Sequence, residues 1–192
     1  MTMTDAPSRL GHIKDPESDP LLKELFEESR GQRGGRVLNL HLTQGHAPEI
    51  SHAQRGVIRA IRTKTKAPQS LIELGILRAA QICNCEYEYV QHIPLSMKAG
   101  LTRAQVDAVQ DWRNATVYDE RQRAVLAWVE ATCANLGEVD DVVFAGMQRH
   151  FSSQEILEIT FTACLYFGTG VMMKALRIKL EPESRAEAEA SL

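Results

Sequence analysis

From Leu71 to Cys83 the chain reads LIELGILRAAQIC, and its only polar side chains are Glu73, Arg78 and Gln81. A helix that is apolar on nearly every side has no solvent face, so this run predicts a central helix around which the rest of the chain must pack. The punctuation elsewhere is helical too. Ser70 precedes Glu73 by three residues, a capping-box pattern. Asn84 is expected as the N-cap of a following segment, Cys85 to Ala99, with Gly100 as its C′ residue. The capping-box spacing recurs in Thr102 with Gln105, Asp119 with Gln122 and Ser152 with Glu155, and Asp140 or Asp141 opens a further helix. A long, mostly apolar helix runs from Gln154 to about Leu176, interrupted by Gly168 and Gly170. Alternating strand patterns are absent. The expected fold is an all-α bundle of about seven or eight helices.

Composition sets the domain plan. The first 20 residues are rich in Asp, Pro, Ser and Thr without any period, so 1–20 reads as a flexible N-terminal arm. Residues 21–180 read as one helical domain and 181–192 as an acidic flexible tail. The formal net charge is −3, and the tail, with four glutamates against Arg185, accounts for it. The body is balanced, so neither nucleic acid nor an anionic membrane surface is an expected partner. Four cysteines, Cys83, Cys85, Cys133 and Cys164, do not make a disulfide scaffold. The start of the chain has no apolar h-region, and no apolar run approaches the roughly 20 residues that cross a bilayer. The expected location is the cytoplasm. The two apolar helices offer more buried face than one small bundle covers, which points to a homo-oligomer.

The chemistry is concentrated between Leu71 and Leu101. On a helix, Cys85, Glu88 and His92 stand at spacings 0, 3 and 7 and share one face. Glu88 and His92 are i,i+4 neighbours, so a carboxylate can orient the ring and raise its pKa. Cys85 in a first helical turn would be favoured as a thiolate. Glu73, on an apolar helix, is expected to be buried and to need a partner. Each signal also has a plainer reading: a capping-box carboxylate for Glu73, a surface pair for Glu88 and His92, a small buried hydrophobe for Cys85. Cys83 and Cys85 would sit about 200° apart on a continuous helix, which suits neither a disulfide nor a shared zinc ion. Only a backbone break at Asn84 would join them, and no metal is expected.

Glu73, then Cys85, Glu88 and His92 at intervals of twelve, three and four residues, ahead of the turn KAGLT, resemble the signature of the carboxymuconolactone decarboxylase and alkyl hydroperoxidase D-like family. The resemblance runs from about Val37 to Leu176, and CEYEYVQH is similar to the decarboxylase-like branch. It implies an all-helical alkyl hydroperoxidase D-like fold, a trimer or a hexamer of paired trimers, and a small-molecule pocket at a subunit interface. In the hydroperoxidase branch two cysteines occupy the positions of Cys85 and Glu88, with the glutamate and histidine relaying protons to them. Here Glu88 replaces the second cysteine, so that disulfide cycle is absent.

The expected activity is a cofactor-free, lyase-like reaction on a small organic acid, lactone or related carbonyl compound. His92 acts as general acid/base, Glu88 orients it, and Glu73 supports or shares the proton. His46 and Tyr89 are candidates for the substrate pocket. Two alternatives stand beside it: a thiol-dependent peroxidase or antioxidant protein using Cys85, and a non-catalytic oligomeric ligand-binding protein.

Overall fold

The computed structural model describes residues 7–13, 15, 19–32 and 35–192, and part of the expected N-terminal arm (1–6, 14 and 16–18) lies outside them. Ten helices form among the described residues, with no strand: α1 (Pro20–Gln32), α2 (Asn39–Gln44), α3 (Pro48–Lys64), α4 (Gln69–Ile82), α5 (Glu86–Lys98), α6 (Arg103–Ala108), α7 (Glu120–Ala134), α8 (Asp141–Gln148), α9 (Ser153–Leu176) and α10 (Pro182–Ser191). Eight of these have seven residues or more.

α4 is the central helix, enclosed by α5, α7 and α9. Leu74, Leu77, Ala79 and Ala80 on it are completely shielded from solvent, because its apolar surface faces a different neighbour on each side. Capping boxes start α6 at Thr102, α7 at Asp119 and α9 at Ser152, and Asp140 caps α8. α4 starts differently. Pro68 is its N-cap, Leu71 and Ile72 donate to the Pro68 carbonyl, and Ser70 lies inside the helix, so Ser70 and Glu73 form no capping box.

α9 is continuous through Gly168 and Gly170. It is also long and apolar enough, by length and composition, to cross a membrane, contrary to the expectation from the sequence. Its inner face, including Ile159, Ala163 and Met173, is buried in the bundle.

The acidic segment is the larger correction. Residues expected to form a flexible tail make α10, which docks on α5 and buries Ser184 and Ala188. Small residues at i and i+4 give this otherwise charged helix one narrow face that can approach another helix. Glu181, its N-cap, is buried and fixes the dock. Its two oxygens accept from the Asn39 N–H (2.6 Å), the Tyr87 hydroxyl (2.7 Å), Gln91 Nε2 (2.7 Å) and the Ser184 hydroxyl (3.2 Å). At the other end, the Arg9 N–H donates to the Leu176 carbonyl and the Ile13 N–H to the Leu42 carbonyl.

Candidate active site

Glu73, Glu88 and His92 meet between α4 and α5, each no more than 5% exposed. His92 Nδ1 lies 2.7 Å from Glu73 Oε2, and Nε2 lies 3.3 Å from Glu88 Oε1. Both ring nitrogens therefore face carboxylates. Burial alone disfavours the imidazolium, but the Glu73 charge and hydrogen bond, joined by Glu88, outweigh it and raise His92 to about 9. At neutral pH the ring is a cation held between two acids. Tyr166 of α9 meets the ring edge-on, centroids 4.9 Å apart at 82°.

A cavity of about 180 Å³ opens beside this array. Glu88, His92, Tyr87 and Tyr166 line it and Glu73 does not, so Glu73 grips the ring from outside the cavity. Leu38, Leu40, Ile58 and Leu165 give the wall its apolar part. Arg55, Arg59 and Arg62 of α3, at spacings 0, 4 and 7, give it a cationic part. Glu28 pairs with Arg55 (2.6 Å) and Arg59 (3.3 Å), and Arg62 hydrogen-bonds Tyr166. Burial pushes the Tyr166 hydroxyl above its ordinary range, and Glu88 and Glu73 add to this against Arg62.

The two pocket candidates lie elsewhere. His46 is exposed, and its Nε2 is 2.7 Å from the Gly11 carbonyl. His41, five residues earlier, lines the cavity instead. Tyr89 donates to the Val106 carbonyl of α6 (2.9 Å), while Tyr87 reaches the cavity. The clearest missed signal is the 0, 4, 7 spacing of the three arginines, which places them on one face of a helix.

Cys85 also departs from expectation. It is the N-cap of α5, 3% exposed, and does not line the cavity. Its thiol hydrogen-bonds Cys83, which together with burial and the nearby Glu88 charge pushes it far up, so the expected thiolate is not favoured. Among the described residues no three His, Cys, Asp or Glu side chains are grouped to hold a metal ion.

The fold is all-helical and alkyl hydroperoxidase D-like. Residues 48–131 match the carboxymuconolactone decarboxylase family. The uncharacterized protein YnjA of Escherichia coli (strain K12) is 29% identical over 84 residues, 43% of this chain and 46% of that one. The chain thus spans less than half the length of that relative. An uncharacterized peroxidase-related protein from Ralstonia eutropha JMP134 with an alkyl hydroperoxidase AhpD core superposes with a TM-score of 0.82 and 19% identity, over 94% of this chain and 96% of that one. The debrominase Bmp8, as a cysteine-to-alanine variant bound to 2,3,4-tribromopyrrole, gives 0.80 and 19%, over 97% of this chain and 100% of that one. At that identity the two structures establish the fold.

Proposed function

We propose that this chain is a carboxymuconolactone decarboxylase-like enzyme that applies Glu/His acid–base chemistry to a small organic acid, lactone or related carbonyl compound. The observation that carries this reading is the buried Glu73–His92–Glu88 array beside the cavity. Glu73 holds the imidazolium, and the proton between His92 and Glu88 is the one a bound molecule meets. Decarboxylation or double-bond migration leaves an electron-rich carbon that needs a proton. A Glu88 carboxyl supplied by the imidazolium behind it delivers that proton, and the reverse transfer removes one. Arg55, Arg59 and Arg62 favour a ligand that carries a carboxylate. The likeness to a debrominase bound to a tribrominated pyrrole supports a small cyclic one.

A homo-oligomer, as a trimer or hexamer, is part of the proposal. Leu157, Phe161 and Val171 leave an exposed apolar stripe along α9, the helix whose Leu165 and Thr169 line the cavity. A second copy on that stripe would cover the cavity's flank. Light scattering in solution tests this, and a strictly monomeric protein would end it.

The reaction is tested with carboxymuconolactone and a panel of small lactones and carboxylic acids in deuterated buffer, following carbon dioxide release and carbon-bound deuterium. Turnover by the wild type, lost by about 10²–10⁴-fold in His92→Gln and Glu88→Gln with unchanged circular dichroism, is the expected result. Equal rates in wild type and both variants would overturn it, as would a wild type that neither turns over nor binds any panel compound. Binding that survives His92→Gln without any turnover would favour the non-catalytic ligand-binding alternative. The peroxidase reading centred on Cys85 alone is the weaker one, because that thiol is buried outside the cavity and held in its neutral form.

A further inference from the structure

The hydroxyls that line the cavity differ in where their protons go. Tyr87 donates to Glu181 at 2.7 Å, Thr63 to the Arg59 carbonyl at 2.8 Å and Thr169 to the Leu165 carbonyl at 2.8 Å. Each of these protons is committed to the protein. The carboxamides are committed too, Gln91 to Glu181 and Ser184, and Gln44 to Gln54. Tyr166 differs. Arg62 hydrogen-bonds it, and no acceptor for the phenolic proton is found among the described residues. A guanidinium can only donate, so the Tyr166 oxygen accepts from Arg62 and its own proton is left for a third group.

The fold sets this phenol beside the proton carriers. Tyr166 is 5% exposed, and its ring meets that of His92 edge-on, centroids 4.9 Å apart. Arg62 of α3, Glu88 and His92 of α5 and Tyr166 of α9 line the one cavity. Burial holds the hydroxyl in its protonated form well above neutral pH; Arg62 opposes this, and Glu88 and Glu73 reinforce it. The result is a neutral donor backed by a cation, next to an imidazolium and its carboxylate. Such an array suits a reaction in which a proton moves on carbon while negative charge collects on a neighbouring oxygen.

We propose that Tyr166 is a catalytic residue, donating its hydroxyl to the carbonyl oxygen of the bound molecule as that oxygen takes up negative charge, with Arg62 as the positioning residue that holds the phenol. This rests on the Glu88–His92 reaction proposed above and narrows its substrate to a carbonyl compound that reacts through an enolate. In a decarboxylation, the bond to the carboxylate breaks and carbon dioxide leaves. The electron pair of that bond passes through the adjacent carbon to the conjugated carbonyl oxygen, which accepts the Tyr166 hydrogen bond. The Glu88 carboxyl, with the proton received from His92, then protonates the carbon, and the C=O bond re-forms. One carboxylate and one proton thus yield one carbon dioxide and one C–H bond, and a solvent proton restores His92. In a double-bond migration, Glu88 takes a proton from one carbon and returns it to another, with no net change. Tyr166 keeps its own proton in both. An acid without a carbonyl conjugated to the reacting carbon has no such oxygen and is not a substrate.

The full chain is compared with Tyr166→Phe, which keeps the ring that meets His92 and removes only the hydroxyl. On the lactones of the panel, Tyr166→Phe should lower kcat by about 10²–10³-fold, leave KM within about threefold and retain the wild-type circular dichroism. Arg62→Met alone should lower kcat by about tenfold, and combined with Tyr166→Phe should add nothing further. A second measurement needs no turnover: 4-nitrophenolate, a flat ring whose oxygen carries an enolate-like charge, is titrated and followed by its absorbance. The wild type should bind it at least about tenfold more tightly than Tyr166→Phe. A wild type that turns over lactones no faster than Tyr166→Phe would overturn the role of Tyr166 and leave the Glu88–His92 reaction standing. A wild type without any turnover would remove that reaction, and the role of Tyr166 with it. Equal affinity of the two proteins for 4-nitrophenolate, or none in the wild type, would overturn the contact to a charged oxygen. Turnover of acids that lack a conjugated carbonyl, as fast as that of the lactones, would overturn the enolate. Losses that add in the double variant would overturn the positioning role of Arg62.

Discussion

Tyr87 and Gln91 occupy one row of α5, Glu88 and His92 the next, and each row meets a buried glutamate from another part of the chain. Glu181 is surrounded by neutral donors: a backbone amide, a phenol, a carboxamide and a hydroxyl. Glu73 is matched to an imidazole that a second carboxylate touches from its other nitrogen. The neutral set can only hold a charge in place, whereas the imidazole set can pass a proton along. Rotating one residue around the same helix separates a structural carboxylate from a chemical one.

The largest test of that contrast is the His92→Gln loss in turnover set out above. If it leaves rates intact, the two rows are equivalent and the distinction fails. Next comes Glu181→Ala, which leaves several buried donors unpaired. It should lower the unfolding free energy by about 3 kcal/mol in urea titrations and expose α10 to hydrogen exchange.

The third test is pH. His92 is raised in the folded state to about 9 from an ordinary 6.5, so the stability it confers is fully present below 6.5 and is lost as pH rises through 9. Wild-type stability should fall by about 1–3 kcal/mol over that window, and His92→Gln should flatten the fall. A wild-type protein equally stable at both ends would mean that the ring is not held as a cation. The smallest effect is expected from Ser184→Ala, which removes one of four donors to Glu181. It should cost about 1 kcal/mol without altering the pH profile.

The parts that could be read from the sequence were those fixed by near neighbours. Thr102, Asp119 and Ser152 cap helices because their glutamine or glutamate partners stand three residues away, a relation independent of the rest of the fold. Ser70 and Glu73 share that spacing, yet Pro68 starts the helix earlier and turns Glu73 toward His92, a contact 19 residues distant. Choosing Tyr89 over Tyr87 failed for a related reason. Which row of α5 faces the cavity depends on where α4, α6 and α10 lie, and the α10 register rests on Ser184 and Ala188, two small residues in an acidic run. A backbone break at Asn84 is the condition the sequence sets for bringing the two cysteines together, but the left-handed torsion that makes the break has no periodic signal.

The Glu181 anchor ties α10 to a residue of the cavity wall. Tyr87 contributes to the cavity lining while its hydroxyl is held by the side chain that starts α10. Anything that pulls on α10 is therefore transmitted by a single carboxylate to the room available for a bound molecule.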